Sequence, residues 1–141
     1  MSTRSDCPFC AIVEGAGPAR VVYGDEHTVA FLPLFPATVG HVLVVPREHV
    51  DDIWAMNPDL AGEVAKAVLR VAWGVRQALS PEGLNVINSS GAAASQTISH
   101  LHMHVVPRWE GDAMGAIWPQ AQAGRDAEQD SVAARLRDAC R

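Results

Sequence analysis

Lysine is almost missing from this 141-residue chain: Lys66 stands alone against ten arginines, and the formal net charge is −5. That balance withholds the broad cationic face of a general DNA or RNA binder, so no nucleic-acid partner is expected and any anionic ligand must be met by a local site. No run approaches the roughly 20 apolar residues that cross a bilayer, and residues 1–10 lack the apolar core of a signal peptide. A chain with no membrane contact and a cytoplasmic location is the expectation. Cysteine is scarce and odd in number, with Cys7 and Cys10 close together and Cys140 stranded near the tail. That is not a secreted disulfide framework, and a reducing compartment suits it better. Aromatics make up only 6%, and Trp54, Trp73, Trp109 and Trp118 read as packing residues rather than a cofactor box. No internal repeat or second domain is visible, so residues 1–141 are expected to form a single domain.

What is present is apolar and patterned. Residues 21–32 read as two short strands around Gly24-Asp25-Glu26-His27, with His27 solvated in the turn. Two prolines make a loop of residues 33–39, and Gly40 leads into the strand His41-Val42-Leu43-Val44-Val45, expected to be central and to stop at Pro46. Asn57-Pro58 supplies an N-cap and a first-turn proline. Leu60, Val64, Val68, Val71, Val75 and Leu79 then recur at helical spacing, which predicts one long amphipathic helix. A strand over 84–88, a small-residue loop over 89–95 and a strand over 99–106 closed by Pro107 follow. A last helix is expected near 126–139, with Ser131, Arg135 and Arg137 facing solvent. This order favours an α+β fold with a mainly antiparallel sheet.

The chemistry concentrates in Ser99-His100-Leu101-His102-Met103-His104-Val105-Val106. In an extended strand alternate side chains share a face, so His100, His102 and His104 line one surface at roughly 6 to 7 Å intervals while Leu101, Met103 and Val105 face the core. Imidazole suits phosphoryl or nucleotidyl transfer because it is neutral and nucleophilic near pH 7, provided its other N–H is held by an acceptor. Such chemistry requires no metal at phosphorus. Just upstream, Ser95-Gln96-Thr97 offers backbone N–H groups, an amide and a hydroxyl to phosphate oxygens. Cys7-Pro8-Phe9-Cys10 is half a structural zinc site, for which His49 and His100 are available as further ligands. A redox pair and plain buried thiols are its alternatives, although the helix-nested setting of a thioredoxin-like motif is absent. His41 is either a core histidine or a partner of the histidine cluster.

His100-Leu101-His102-Met103-His104-Val105-Val106 matches the alternating His-apolar pattern of the histidine triad (HIT) family, and Cys7-Pro8-Phe9-Cys10, Gly40-His41-Val42-Leu43-Val44-Val45-Pro46, His49 and Gln96-Thr97 match it too. The resemblance covers about residues 7–110, leaving 111–141 as a C-terminal extension. It implies a HIT-like α+β fold: a mainly antiparallel five-stranded sheet with one long amphipathic helix and shorter helices, assembled as a homodimer. It implies binding of purine nucleotides and cleavage of nucleoside phosphoramidates or dinucleoside polyphosphates at the α-phosphate, through a nucleotidyl-histidine intermediate. Carried onto this sequence, His102 is the nucleophile, His104 and Thr97 contact the phosphate or leaving group, Ser95 and Gln96 line the phosphate pocket, and His41 supports. Phe9, Ile12, Phe31 and Leu34 match the base pocket. Cys7, Cys10, His49 and His100 match a structural zinc site separate from the chemistry.

Three positions depart from the family's pattern. Pro33 stands where an Asp or Asn usually binds the ribose hydroxyls, Ser95 replaces a glycine that approaches the phosphate, and Ser89 replaces a polar amide. The leading expectation is a nucleotidyl hydrolase or transferase. Its rivals are a hydrolase with catalytic zinc on the histidine strand and a nucleotide-binding regulatory protein with little turnover.

Overall fold

The apolar runs pair into one antiparallel sheet in a computed structural model that describes residues 3–141. Its strands are β1 (Arg20–Gly24), β2 (Thr28–Leu32), β3 (Val42–Pro46), β4 (Gly83–Asn88) and β5 (Met103–Arg108), in the spatial order β1-β2-β3-β5-β4. Three α-helices accompany them: α1 (Pro8–Val13), α2 (Pro58–Leu79) and α3 (Asp126–Ala139). β3 is buried along its whole length and lies at the middle of the sheet, as its unbroken apolar run suggests.

The period-2 pattern sorts side chains to two faces. Ala30, Val42, Val44 and Val105 pack against Ala67, Val71 and Val75 of α2, while Val29, Phe31, Leu43 and Val45 pack against Cys7, Phe9 and Cys10 around α1. The long helix therefore closes one face of the sheet, and the histidines gather on the other. α2 begins where Asn57 Oδ1 accepts the Leu60 N–H at 2.9 Å, and it ends at Ser80, whose φ of 49° is left-handed. Among the described residues no helix is long and apolar enough to cross a membrane. α3 has no buried residue. The segment before it is tied down at Asp112, which receives Arg108 in a two-point ion pair and the N–H groups of Trp109 and Gly115.

Two expectations need correction. β5 starts at Met103 rather than at 99, and it runs through Pro107 instead of stopping there. The antiparallel register that pairs Val44 with Met103 would next bring residues 100–102 against the end of β3, where Pro46 has no N–H to give. The backbone is satisfied elsewhere: Leu101 N–H donates to Val50 O at 2.7 Å, and His102 O accepts from Asn88 Nδ2 at 3.2 Å. The tryptophans, read as packing residues, are largely exposed on this chain, with Trp54, Trp73 and Trp118 each more than half accessible.

Candidate functional site

Cys7 is the N-cap of α1 and Cys10 lies in its first turn, so the Cys-x-x-Cys pair does open a helix, contrary to expectation. Pro8 at the first helical position was the available signal. The helix turn brings both sulfurs to one side, where His49 and His100 join them, all four ligand atoms lying within 4.8 Å of one another. Cys7 Sγ is 3.4 Å from His100 Nδ1, and Cys10 Sγ is 3.4 Å from His49 Nδ1 and 3.5 Å from His100 Nδ1. Tetrahedral zinc, with bonds of about 2.3 Å to sulfur and 2.0 Å to nitrogen, sets its donors roughly 3.5 Å apart. Donor types and spacing therefore fit zinc. His100 Nε2–H donates to Pro46 O at 2.9 Å and His49 Nε2–H to the Asp51 carboxylate at 2.9 Å, which turns both Nδ1 lone pairs toward the sulfurs. Burial lowers the pKa of the wholly buried His100 to about 4, keeping it a neutral donor at pH 7.

A second cluster sits beside the first. His102 Nδ1–H donates to His100 O at 2.7 Å, so a neutral His102 carries its lone pair on Nε2. Ala37 N–H donates to His41 Nδ1 at 3.0 Å, which places the His41 proton on Nε2, from where it is donated to His104 Nδ1 at 2.9 Å. His104 is left with an N–H on Nε2. The His102 and His104 ring centroids are 5.0 Å apart, and the edge of Phe9 packs 5.1 Å from His102. Burial lowers His104 to about 4, helped by repulsion from His102 and His41; burial also lowers His41. A fixed lone pair beside a fixed N–H donor can attack an electrophile and meet the negative charge that develops.

These three histidines line a cavity of about 410 Å³ together with Thr97 and all four expected base-pocket residues, Phe9, Ile12, Phe31 and Leu34. A larger cavity of about 600 Å³ lies between α2 and the β1–β2 hairpin, but it is almost wholly apolar and is lined by no histidine or cysteine. Ser95 and Gln96 fall outside the lining of the histidine cavity. Gln96 joins its loop to neighbouring backbone, accepting from Gly91 N–H and donating to Asp51 O and Ile98 O. Ser95 has φ 72°, a conformation that favours the glycine it replaces. The polar amide expected at 89 stands one residue upstream, at Asn88, holding the His102 carbonyl. Of the three strand histidines only His100 joins the metal-capable cluster, whose four donors leave no open position of the kind catalytic zinc keeps.

A family model for the HIT domain matches residues 14–111. The chain is 40% identical over 119 residues to protein hit of Bacillus subtilis strain 168, covering 84% of this chain and 82% of that one. A HIT family protein from Bacillus anthracis superposes with a TM-score of 0.87 at 35% identity, covering 97% and 99% of the two chains. A zinc-bound histidine triad family protein from Mycobacterium smegmatis gives 0.73 at 34% identity, covering 95% and 97%. A hypothetical histidine triad nucleotide-binding protein from Sulfolobus tokodaii gives 0.72 at 30%, covering 94% and 90%.

Proposed function

The chain belongs to the HIT family, and from that membership we propose that it is a nucleotide-binding hydrolase or transferase acting at the α-phosphate of nucleoside phosphoramidates or dinucleoside polyphosphates. The observation that carries the proposal is the bond from His102 Nδ1–H to His100 O, which aims a lone pair from Nε2 on a ring that lines the cavity. His102 Nε2 attacks the α-phosphorus. The bond to the leaving group breaks with its electron pair, and the leaving amine or phosphate takes up a proton from solvent. Water then displaces Nε2 from the nucleotidyl-histidine, regenerating the ring and releasing the nucleoside monophosphate. His104 Nε2–H and the Thr97 hydroxyl donate to the phosphoryl oxygens, His41 holds His104 in its tautomer, and Phe9, Ile12, Phe31 and Leu34 enclose a purine. Ser95 and Gln96 act by shaping the loop that presents Thr97.

Cys7, Cys10, His49 and His100 hold a structural zinc, as the zinc-bound relative and the donor geometry support. Zinc there ties α1 to the segment before β5, and no step of the reaction runs through it. The single domain works in the cytoplasm, where Cys7 and Cys10 stay reduced, and as a homodimer. Among the described residues no strand pairs with the outer edge of β4, and Leu84 and Val86 of β4 lie exposed, as do Leu69 and Trp73 of α2. Steady-state hydrolysis of adenosine 5′-phosphoramidate and diadenosine polyphosphates tests the reaction. The wild type should turn over at least one, and His102→Ala should lose about 10⁴-fold or more in kcat. AMP binding without turnover of any of them would favour the regulatory reading instead.

A further inference from the structure

A ribonucleotide differs from its deoxy counterpart by one hydroxyl, and what that hydroxyl meets follows from the lining of the histidine cavity. Apart from Arg20, His41, His102, His104 and Thr97, the wall is apolar, with Pro18, Ala19, Leu32, Pro33 and Leu34 continuing the surface begun by Phe9 and Phe31. Phe35 extends that surface outward and is 91% exposed. Among the described residues no Asp, Glu, Asn, Gln or Ser lines the cavity. The remaining polar side chain is Arg20 at an exposed position, and a guanidinium has donors only. A sugar hydroxyl needs an acceptor for its proton, and one enclosed without an acceptor weakens binding. A site built to hydrogen-bond a hydroxyl rejects the analogue lacking it by up to about 10⁴- to 10⁵-fold, whereas an apolar site separates the two by no more than about 10²-fold and a half-open one by less.

We propose that this sugar subsite does not read the 2′- and 3′-hydroxyls, so the protein takes 2′-deoxynucleotide derivatives on equal terms with ribonucleotide ones, and that Pro33 sets this specificity. Pro33 follows directly on β2, half-buried in the wall, and offers neither a side-chain acceptor nor an N–H. The inference rests on the nucleotide reading of the cavity given above. Calorimetry on the full-length protein with AMP, 2′-deoxy-AMP and 2′,3′-dideoxy-AMP tests it without requiring turnover. The wild type should bind the three with dissociation constants within about tenfold of each other, and Pro33→Asp should move the ratio in favour of AMP by about tenfold or more. Pro33→Asn serves the same purpose if the aspartate variant fails to fold. A wild-type preference above about tenfold in either direction, or an unchanged ratio in a folded variant, overturns the inference and leaves the nucleotide reading standing. Failure of all three nucleotides to bind overturns both.

Discussion

Burial makes His104 a poor base, with a pKa lowered from an ordinary 6.5 to about 4. Between those values the unfolded chain takes up a proton that the folded chain refuses, so stability rises with pH across the window. The contribution is complete above about 6.5 and is lost as the pH falls toward 4. His41, lowered by the same burial, acts in the same direction. The melting temperature should therefore fall as the pH drops from 6.5 to 4, and His104→Asn should flatten that dependence. Equal slopes for the wild type and the variant would contradict the assignment. At this scale the sequence was generous with side chains and silent about backbone. Five histidines and two cysteines can be picked out by spacing, but the groups that fix the tautomers of His41, His100 and His102 are Ala37 N–H, Pro46 O and His100 O. Backbone atoms carry no residue signature, so those partners emerge only when the chain folds back on itself. Asn88 was legible in principle, as an amide ending an apolar strand beside the histidine run.

Elements were legible where one periodicity ran long enough. Asn57-Pro58 and the three-to-four spacing located α2 at its first residue, and replacing the cap by Asn57→Ala should cost about 1 kcal/mol in urea unfolding. The boundary of β5 was hidden because alternation survives outside the ladder. Leu101 still points toward Leu60 and Val64, and His100 and His102 toward Phe9, although neither histidine lies in the strand. Leu101 is fully buried in that cluster, so Leu101→Ala should cost about 2 to 5 kcal/mol. A loss under 1 kcal/mol would mean that the segment before β5 is not packed as described. α1 is only six residues long, too short for periodicity to announce.

At the scale of the whole molecule the histidine run is shared between a metal-capable cluster and a cavity, a division that the family resemblance already implied. α2 covers one face of the sheet, and on the other the neighbouring rings of His100 and His102 belong to different sites. Metal analysis should find one zinc per chain, and Cys10→Ser should release it and lower the melting temperature, because metal bound to the folded state adds its binding free energy to stability. Zinc retained at full stoichiometry in that variant would dismiss the four-ligand site. The exposed edge at β4 should place the protein at the mass of two chains in sedimentation, and Trp73→Glu should shift it toward one. A wild type sedimenting as a monomer would contradict the dimer. The exposed Trp54, Trp73 and Trp118 could not be told from core residues by composition, which does not say which face of an element a side chain takes.

The proposed reaction requires His102 Nε2 to form a bond to phosphorus. Rapid mixing with a nucleoside phosphoramidate, quenching above neutral pH to preserve the acid-sensitive adduct, and peptide mass spectrometry read that bond directly. A nucleotidyl mass increment is expected on the peptide containing His102, formed at a rate no slower than turnover and missing in His102→Ala. An increment placed on His104 or His41, or one of equal yield in His102→Ala, would contradict it.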